Sequence, residues 1–201
     1  SGWVRVALHD VSKKAVLNSK DFPLPSPILS PAWRSAMHGA SDAIEEWITG
    51  QRGIAQTRIA FTRGGRVWLV DSDKENVMPV TPGGMSPQWL PGGRGLVYSV
   101  LDGVRNPIMT IGGGTSRRIT VGRGRASTQP SFSPDGQRIA FMSDRSGHPE
   151  VYISDLDGTN VELLTADSFG DRDYRAGPDW SPDGRLVAFQ SRNGGTFQIM
   201  T

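Results

Sequence analysis

Residues 130–141 read PSFSPDGQRIAF, and the same pattern returns at residues 178–189 as PDWSPDGRLVAF. A weaker copy at residues 87–98 reads PQWLPGGRGLVY, and residues 58–61, RIAF, match only the end of the pattern. The aromatic residues of the three longer copies are 43 and 48 residues apart. Self-similarity at such a spacing predicts a protein built from stacked repeats.

Each repeat is predicted to contain four strands. In the Ser-Pro-Asp-Gly segment, proline presets φ, glycine supplies a positive φ and the aspartate bonds the turn backbone. The apolar run Ile139–Phe141 is typical of a strand buried on both faces, and residues 150–154 and 161–165 add two more strands. Four strands in roughly 40–48 residues indicate one blade of a β-propeller, although a β-meander or sandwich also recurs at short spacing. The aromatic residues before the turns are predicted to pack between blades: Trp89, Phe132 and Trp180.

The composition narrows the class of protein. The 201 residues include 25 Gly and 14 Pro, which argues against a helical bundle and favours a turn-rich β protein. The 22 basic and 20 acidic residues leave a net charge of +2, without the clustered basic face of a nucleic-acid-binding protein. The absence of cysteine excludes disulfide scaffolds and Cys–zinc sites. No run reaches the ~18 apolar residues of a membrane helix, so the chain is not predicted to be membrane-embedded.

The first fifty residues do not repeat and are predicted to form a β-hairpin followed by a helix. Apolar residues alternate from Val4 to Leu8, and the return strand is expected at Ala15–Leu17. Ser30 is the predicted N-cap of the helix, Pro31 its first residue and Gly50 its C-cap. An apolar stripe recurs at helical spacing in between: Trp33, Met37, Ala40, Ile44 and Trp47.

These features predict two domains. Residues 1–50 are interpreted as the C-terminal part of an N-terminal α/β domain, because a hairpin and one helix are marginal alone. Residues 51–56 are the predicted linker, and residues 57–201 the predicted propeller blades. The fold class is therefore mostly β, with a truncated propeller, and the chain is expected to be a piece of a longer protein, because an unclosed propeller leaves strand edges exposed.

No catalytic residue, metal ligand or cofactor site is predicted. The chain has no G-x-S-x-G nucleophile elbow, no H-E-x-x-H pair and no phosphate-binding P-loop. Its three histidines, His9, His38 and His148, fall on a strand, a helix and a turn, and share no spacing. The sequence therefore predicts a protein that is not an enzyme and that needs no cofactor.

The run from His38 to Phe61 carries a resemblance to a known family. It reads HGASDAIEEWITGQRGIAQTRIAF, and it is similar to the pattern H-x-x-S-D-x-I-x-x-x-(I/L)-T-G-x-x-G-x-x-x-T-R-I-A-(F/Y) that links the two domains of the TolB family. The repeats resemble the P-x-(W/F)-S-P-D-G-x-x-(I/L)-A-(F/Y) pattern of TolB-type propellers. The copy at residues 87–98 departs from it, because Leu-Pro-Gly-Gly lacks the aspartate.

This resemblance implies a fold and a role. It implies about three and a half four-stranded blades of an expected six. It implies a non-catalytic periplasmic adaptor of the Tol–Pal system that supports outer-membrane integrity, cell division and protein import. The implied partners are the peptidoglycan-associated lipoprotein Pal, the protein TolA through an N-terminal segment outside this sequence, and bacteriocin peptides.

The same resemblance points to a partner-binding surface. In a propeller, the loops before each P-x-(W/F) strand should open on one face. In the family, corresponding loops contact Pal and bacteriocin peptides. Small polar residues there suit hydrogen bonding to a peptide or loop. The residues concerned are Met85, Ser86, Ala126, Ser127, Thr128, Gln129, Tyr174, Arg175, Ala176 and Gly177.

Two other functions stay open at the level of sequence. The repeats alone also resemble the propellers of prolyl-oligopeptidase-like serine peptidases, in which the propeller gates access to a hydrolase domain encoded downstream. A sugar- or peptide-binding propeller in another envelope context is the third alternative. The junction run at residues 38–61 favours the adaptor over both, because the repeats are shared and the junction is not.

Overall fold

A computed structural model of the chain describes residues 2–103, 106–119, 127–165, 174–193 and 195–201. The described residues form one α-helix, α1 (Pro31–Thr49), and mostly antiparallel strands. The strands are β1 (Gly2–Asp10), β2 (Ala15–Leu24), β3 (Arg58–Arg63), β4 (Arg66–Asp71), β5 (Met78–Pro79), β6 (Met85–Trp89), β7 (Gly95–Ser99), β8 (Ile108–Gly112), β9 (Thr115–Ile119), β10 (Ser127–Phe132), β11 (Arg138–Ser143), β12 (Glu150–Asp155), β13 (Glu162–Leu163), β14 (Tyr174–Trp180), β15 (Val187–Asn193) and β16 (Thr196–Met200).

The repeats form four separate sheets in which each strand pairs with its neighbour in sequence. Their orders are β3-β4-β5, β6-β7-β8-β9, β10-β11-β12-β13 and β14-β15-β16. Such up-and-down sheets of three or four strands are the blades of a propeller. The predicted mostly β fold with a partial propeller is therefore confirmed, with two four-stranded and two three-stranded blades among the described residues.

The fourth strand of the third blade is shorter than predicted. Residues 161–165 were expected to be a strand, but β13 contains only Glu162 and Leu163. Thr165 continues the pairing through its side chain, because its Oγ1 accepts the Val151 amide at 3.1 Å. The same bond recurs in the first blade, where Thr81 Oγ1 accepts the Val67 amide at 3.0 Å. A threonine hydroxyl thus replaces a backbone carbonyl at this edge.

The Ser-Pro-Asp-Gly turns close as predicted. Ser133 Oγ donates to Asp135 Oδ1 at 2.5 Å and accepts the Arg138 amide at 2.9 Å. Asp135 Oδ1 also accepts the Gln137 amide at 3.0 Å, and Gly136 has a φ of 70°. The turn at residues 181–186 repeats this geometry. The copy without aspartate instead forms a 3₁₀ turn at residues 91–93.

The main apolar core lies between the second and third blades. Its buried members come from strands of both sheets: Val97, Ile108, Ile119, Phe132, Ile139, Phe141 and Tyr152. The rings of Phe141 and Tyr152 stack with centroids 6.0 Å apart. The prediction that Trp89 is buried between blades is wrong, since 37% of it is exposed, whereas Phe132 is buried. Trp180 is only partly buried.

The chain separates into two compact units. Unit 1 comprises the chain up to Ile59 together with Leu69–Met78, and unit 2 comprises Ala60–Trp68 and the chain from Pro79 onward. In unit 1, β1 and β2 pair from Gly2↔Leu24 to the turn. The return strand is therefore longer than the predicted Ala15–Leu17.

Helix α1 begins and ends as the sequence predicts. Ser30 Oγ accepts the Trp33 amide at 3.2 Å, and Gly50 adopts a φ of 74° while its amide donates to the Glu46 carbonyl at 2.8 Å. Both bonds satisfy backbone groups that a helix end leaves unpaired. On the predicted stripe, Ala40 is buried, whereas Ile44 is exposed. The described part of unit 1 therefore covers only part of the helix's apolar face.

Truncating the core should destabilise unit 2 strongly. Ile139 is fully buried, so Ile139→Ala should lower the free energy of unfolding by about 2–5 kcal/mol through lost burial and a cavity. Ile199→Ala is the matched control, because 74% of that side chain is exposed; it should cost less than about 1 kcal/mol. Urea unfolding followed by tryptophan fluorescence measures both. Equal costs for the two variants would contradict the described core.

The turn aspartates should make stability depend on pH. Hydrogen bonds from the Ser133 hydroxyl and the Gln137 amide lower the pKa of Asp135 below its ordinary value of 3.8. Because the folded pKa lies below the unfolded one, this stabilisation is present above about pH 4 and is lost as the pH falls through the folded pKa. Wild type should therefore exceed Asp135→Asn in urea midpoint at pH 7, and the difference should shrink at about pH 3. Glu162→Gln, at an exposed strand position, is the control that should not show this trend.

Candidate partner-binding site

The three segments predicted as partner-binding loops are the first residues of strands. Met85 begins β6, Ser127 begins β10 and Tyr174 begins β14. The prediction that these segments are loops is wrong, while Ala126 lies outside the described residues. Proline and small polar residues are typical of loops, but here strand pairing continues on both sides of the proline.

Each of these strands contains a bulge just before its proline. The pairing register shifts between Met85 and Gln88 in β6, between Thr128 and Ser131 in β10, and between Ala176 and Asp179 in β14. The residue before the proline is left-handed in every case: Ser86 (φ 51°), Gln129 (φ 52°) and Gly177 (φ 59°). Proline cannot donate to the strand ladder, so a bulge accommodates it.

Side chains connect the bulges of neighbouring blades. The Gln129 amide donates to Ser99 Oγ of the preceding blade at 3.1 Å. Gln129 Oε1 in turn accepts the Gly177 amide of the following blade at 2.9 Å. The Gln129 and Gly177 amides are therefore satisfied by hydrogen bonds between sheets, which connect the second, third and fourth blades.

The bulges surround one cavity of about 280 Å³ within unit 2. It contains three of the predicted site residues, Ser86, Gln129 and Gly177. The whole described lining is Ser86, Pro87, Gln88, Gln129, Pro130, Gly177, Pro178 and Asp179. Sequence reasoning missed Gln88 and Asp179. A signal was present, since both occupy the middle position of the P-x-(W/F) pattern.

The other predicted site residues do not line this cavity. Ser127, Thr128, Arg175 and Ala176 are buried, and Met85 and Tyr174 are partly exposed. Buried side chains cannot touch a partner in this structure, so a binding hypothesis is best restricted to the exposed members.

Arg175 has an internal role instead. Its Nη1 donates to Glu150 Oε1 at 2.7 Å, and its amide donates to the Pro149 carbonyl at 3.0 Å. Glu150 also accepts from Thr165 Oγ1. Both members of the Arg175–Glu150 pair are buried, and such a pair is tolerated only when it is fully hydrogen-bonded. The pair joins β14 to the third blade.

Unit 1 contains a second polar cavity, of about 470 Å³. It is lined by Pro31, Ser35, His38, Ala55, Gln56, Thr57, Arg58, Asp71, Asn76 and Met78.

Beside this cavity, Asp73 Oδ2 accepts a hydrogen bond from Arg34 Nη2 and lies 2.7 Å from His38 Nε2. Partial burial alone would raise the pKa of Asp73, but hydrogen bonds from the Glu75 amide, His38 and Arg34 hold this pKa below its ordinary value. His38 of the junction run therefore has a hydrogen-bonding role within unit 1. Its contact with Asp73 was not predicted, because Asp73 is distant in sequence from the helix.

Asp42 explains part of the junction run. This residue is only 8% exposed, and its two oxygens accept the Ala55 amide at 2.6 Å and the Gln56 amide at 2.9 Å. Gly53 lies so close to the helix that a Cβ there would stand 2.6 Å from the Asp42 Cα. The chain after α1 is thus held against the helix by a carboxylate and a close backbone approach.

Within the described ranges, no three His, Cys, Asp or Glu side chains are grouped so that they could hold a metal ion. The single described helix is not apolar enough over its length to cross a membrane. What the unit 2 cavity offers is hydrogen-bonding groups and one carboxylate on a scaffold of fixed strands.

Removing the Asp42 carboxylate should loosen unit 1. Asp42→Ala leaves the Ala55 and Gln56 amides without their acceptor, which should cost about 1–3 kcal/mol and speed hydrogen exchange at those two amides. Glu46→Ala, an exposed acidic position on the same helix, is the matched control and should leave their exchange unchanged. Unaltered exchange in Asp42→Ala would contradict the described anchoring.

The sequence and the structure are similar to those of known proteins. The family model described as the TolB beta propeller domain matches residues 66–201. The Tol-Pal system protein TolB of Bordetella pertussis is 30% identical over an alignment that covers 77% of this chain and 47% of that protein. The crystal structure of TolB from Acinetobacter baumannii is similar with a TM-score of 0.78 at 30% identity, over 98% of this chain and 50% of that one. A putative TolB from Agrobacterium tumefaciens gives a TM-score of 0.57 at 25% identity, over 71% and 56% of the two chains.

The chain spans about half the length of the curated relatives that it matches. The family match covers the blades in which the repeats were found, and the structural match extends over the hairpin and helix as well. The repeated strand signature, the bladed sheets and these matches agree, and the chain belongs to the TolB β-propeller family.

Proposed function

We propose that this chain is the propeller-bearing part of a non-catalytic periplasmic adaptor of the Tol-Pal type. In this role it binds the lipoprotein Pal through the surface around the unit 2 cavity. The proposal is supported by the relatives, which carry the name Tol-Pal system protein TolB. It is also supported by the junction run at residues 38–61, which resembles the pattern that links the two domains of the TolB family.

One observation carries the proposed site. Three residues from equivalent positions of successive blades, Ser86, Gln129 and Gly177, meet at one cavity. Their backbones are held by bulges and inter-blade hydrogen bonds, so little conformational entropy is lost when a partner binds. Rigid, concave, polar surfaces of this kind suit a loop or peptide of a partner protein.

The wider role follows from the family and is proposed on that basis. The periplasmic adaptor would support outer-membrane integrity, cell division and protein import. By the resemblance described above, TolA would be bound by an N-terminal segment outside this sequence. Bacteriocin peptides would compete with Pal for the same surface. The peptidase alternative has no comparable support, because the junction at residues 38–61 and the curated relatives both point to TolB.

Blocking the cavity should weaken Pal binding. Ser86→Arg places a long side chain at the cavity and should lower the affinity of the full-length protein for the soluble domain of Pal by about tenfold or more, equivalent to at least about 1.4 kcal/mol. Ser116→Arg is the matched control. It lies on β9, at the other edge of the same sheet, is exposed, and should change the affinity by less than about twofold. Isothermal titration calorimetry measures both.

Two results would oppose the proposal. Wild-type protein that shows no binding to Pal would refute the adaptor role. Wild-type protein that binds Pal, with Ser86→Arg and Ser116→Arg equally unaffected, would place the Pal surface elsewhere on the molecule. Circular dichroism of both variants checks that the arginine substitutions have not disturbed the fold.

A further inference from the structure

We propose that the unit 2 cavity takes one positively charged side chain, a lysine or an arginine, from an extended segment of the partner, with Asp179 as its counter-ion. This inference rests on the proposed function in one respect, namely that a polypeptide partner binds at this surface. It adds the chemistry of the residue that the cavity selects.

Charge is the first reason. Among the eight described lining residues, Asp179 is the only one with an ionisable side chain. Its Oδ1 accepts from Ser131 Oγ at 3.0 Å, which orients the carboxylate. No Lys or Arg in the described part of the chain forms an ion pair with it. An exposed, oriented carboxylate that has no counter-ion among the described residues favours a cation from outside.

Hydrogen-bonding capacity is the second reason. Pro87, Pro130 and Pro178 have no amide proton, so three of the eight lining residues offer no backbone donor. The amides of Gln129 and Gly177 are already bonded to Ser99 and Gln129. The backbone of the wall is therefore poor in donors, while Asp179 adds a carboxylate acceptor. A lysine ammonium brings three donors and an arginine guanidinium five, and neither brings an acceptor that would need a donor.

Size is the third reason. Sites for drug-sized ligands and cofactors enclose roughly 300–1,000 Å³. The cavity, at about 280 Å³, lies just below that range. It suits a single long side chain, while the rest of an extended segment crosses the surrounding rim. A carboxylate-bearing residue would meet Asp179 as a like charge and would be rejected.

The test uses small probes that stand for single residues. N-acetyl-lysine methylamide, N-acetyl-arginine methylamide, N-acetyl-norleucine methylamide and N-acetyl-glutamate methylamide are titrated into the ¹⁵N-labelled full-length protein at constant ionic strength. The readout is the chemical shift of the Ser86, Gln88, Gln129 and Gly177 amides. We expect saturable shifts with the lysine and arginine probes, and much weaker ones with norleucine, which has the apolar stem without the charge.

Two variants locate the interaction. Asp179→Asn removes the charge while its amide oxygen can still accept from Ser131, and it should weaken the binding of the lysine probe by about fivefold or more. Asp183→Asn makes the same charge change in the turn four residues later and should leave binding unchanged. Lysine and norleucine probes that bind equally, a lysine probe that produces no shifts up to its solubility limit, or an Asp179→Asn protein that binds lysine as wild type does, would overturn the inference.

The same variants separate this inference from the proposed function. If Pal binds wild type and Asp179→Asn with equal affinity, the cationic-residue inference fails while the adaptor role stands. If the lysine probe binds at Asp179 but Pal does not bind, the adaptor role fails while the selectivity of the cavity stands. Loss of Pal affinity in Asp179→Asn, matched by loss of the lysine probe, supports both.

Discussion

The left-handed residue before the proline in the first strand of the second, third and fourth blades is the constraint on which the site depends. This conformation takes two residues out of the strand ladder, so that a backbone amide would lack its hydrogen-bond acceptor. An unpaired amide in a packed protein lowers the free energy of unfolding. The molecule satisfies these amides across sheets, through Ser99 for Gln129 and through Gln129 for Gly177. One backbone irregularity therefore does two things. It connects successive blades by directional bonds, and it places one residue from each of three strands, Ser86, Gln129 and Gly177, at the wall of one cavity.

Sequence predicted the regular elements well, because their signals are local. Ser30, Pro31 and Gly50 mark the helix through bonds that a helix end requires, and the apolar run at residues 139–141 marks a buried strand. The bulges were predicted to be loops because a proline after a left-handed residue occurs in loops as well as in bulged strands. Only the pairing with a neighbouring strand distinguishes a bulge from a loop. The contacts of Asp73 were not predicted for a related reason. Its partners on α1 are 35 and 39 residues away, and no local pattern encodes that approach.

The junction run shows how a family pattern can be explained physically. Asp42 is needed as an acceptor for two amides of the segment after the helix, and Gly53 is needed because no Cβ fits against that helix. His38 contacts Asp73 rather than any reacting group. These residues therefore stabilise the packing of the chain against the helix within unit 1. Their resemblance to the family pattern indicates a shared fold in this region. Function has to be argued from other residues.

In each P-x-(W/F) segment, the first and third residues have structural roles, and the middle residue is available for binding. The proline enforces the bulge, and the aromatic residue ends the strand, with Phe132 in the core and the Trp180 indole donating to the Ser131 carbonyl at 3.2 Å. The middle residue is bound by neither requirement, and it differs between copies: Gln88, Ser131 and Asp179. Gln88 and Asp179 line the cavity, and Ser131 orients Asp179. A repeat protein can therefore change what its cavity recognises at these middle positions while leaving the blades intact, because the middle residue is neither the proline at the bulge nor the aromatic residue that ends the strand.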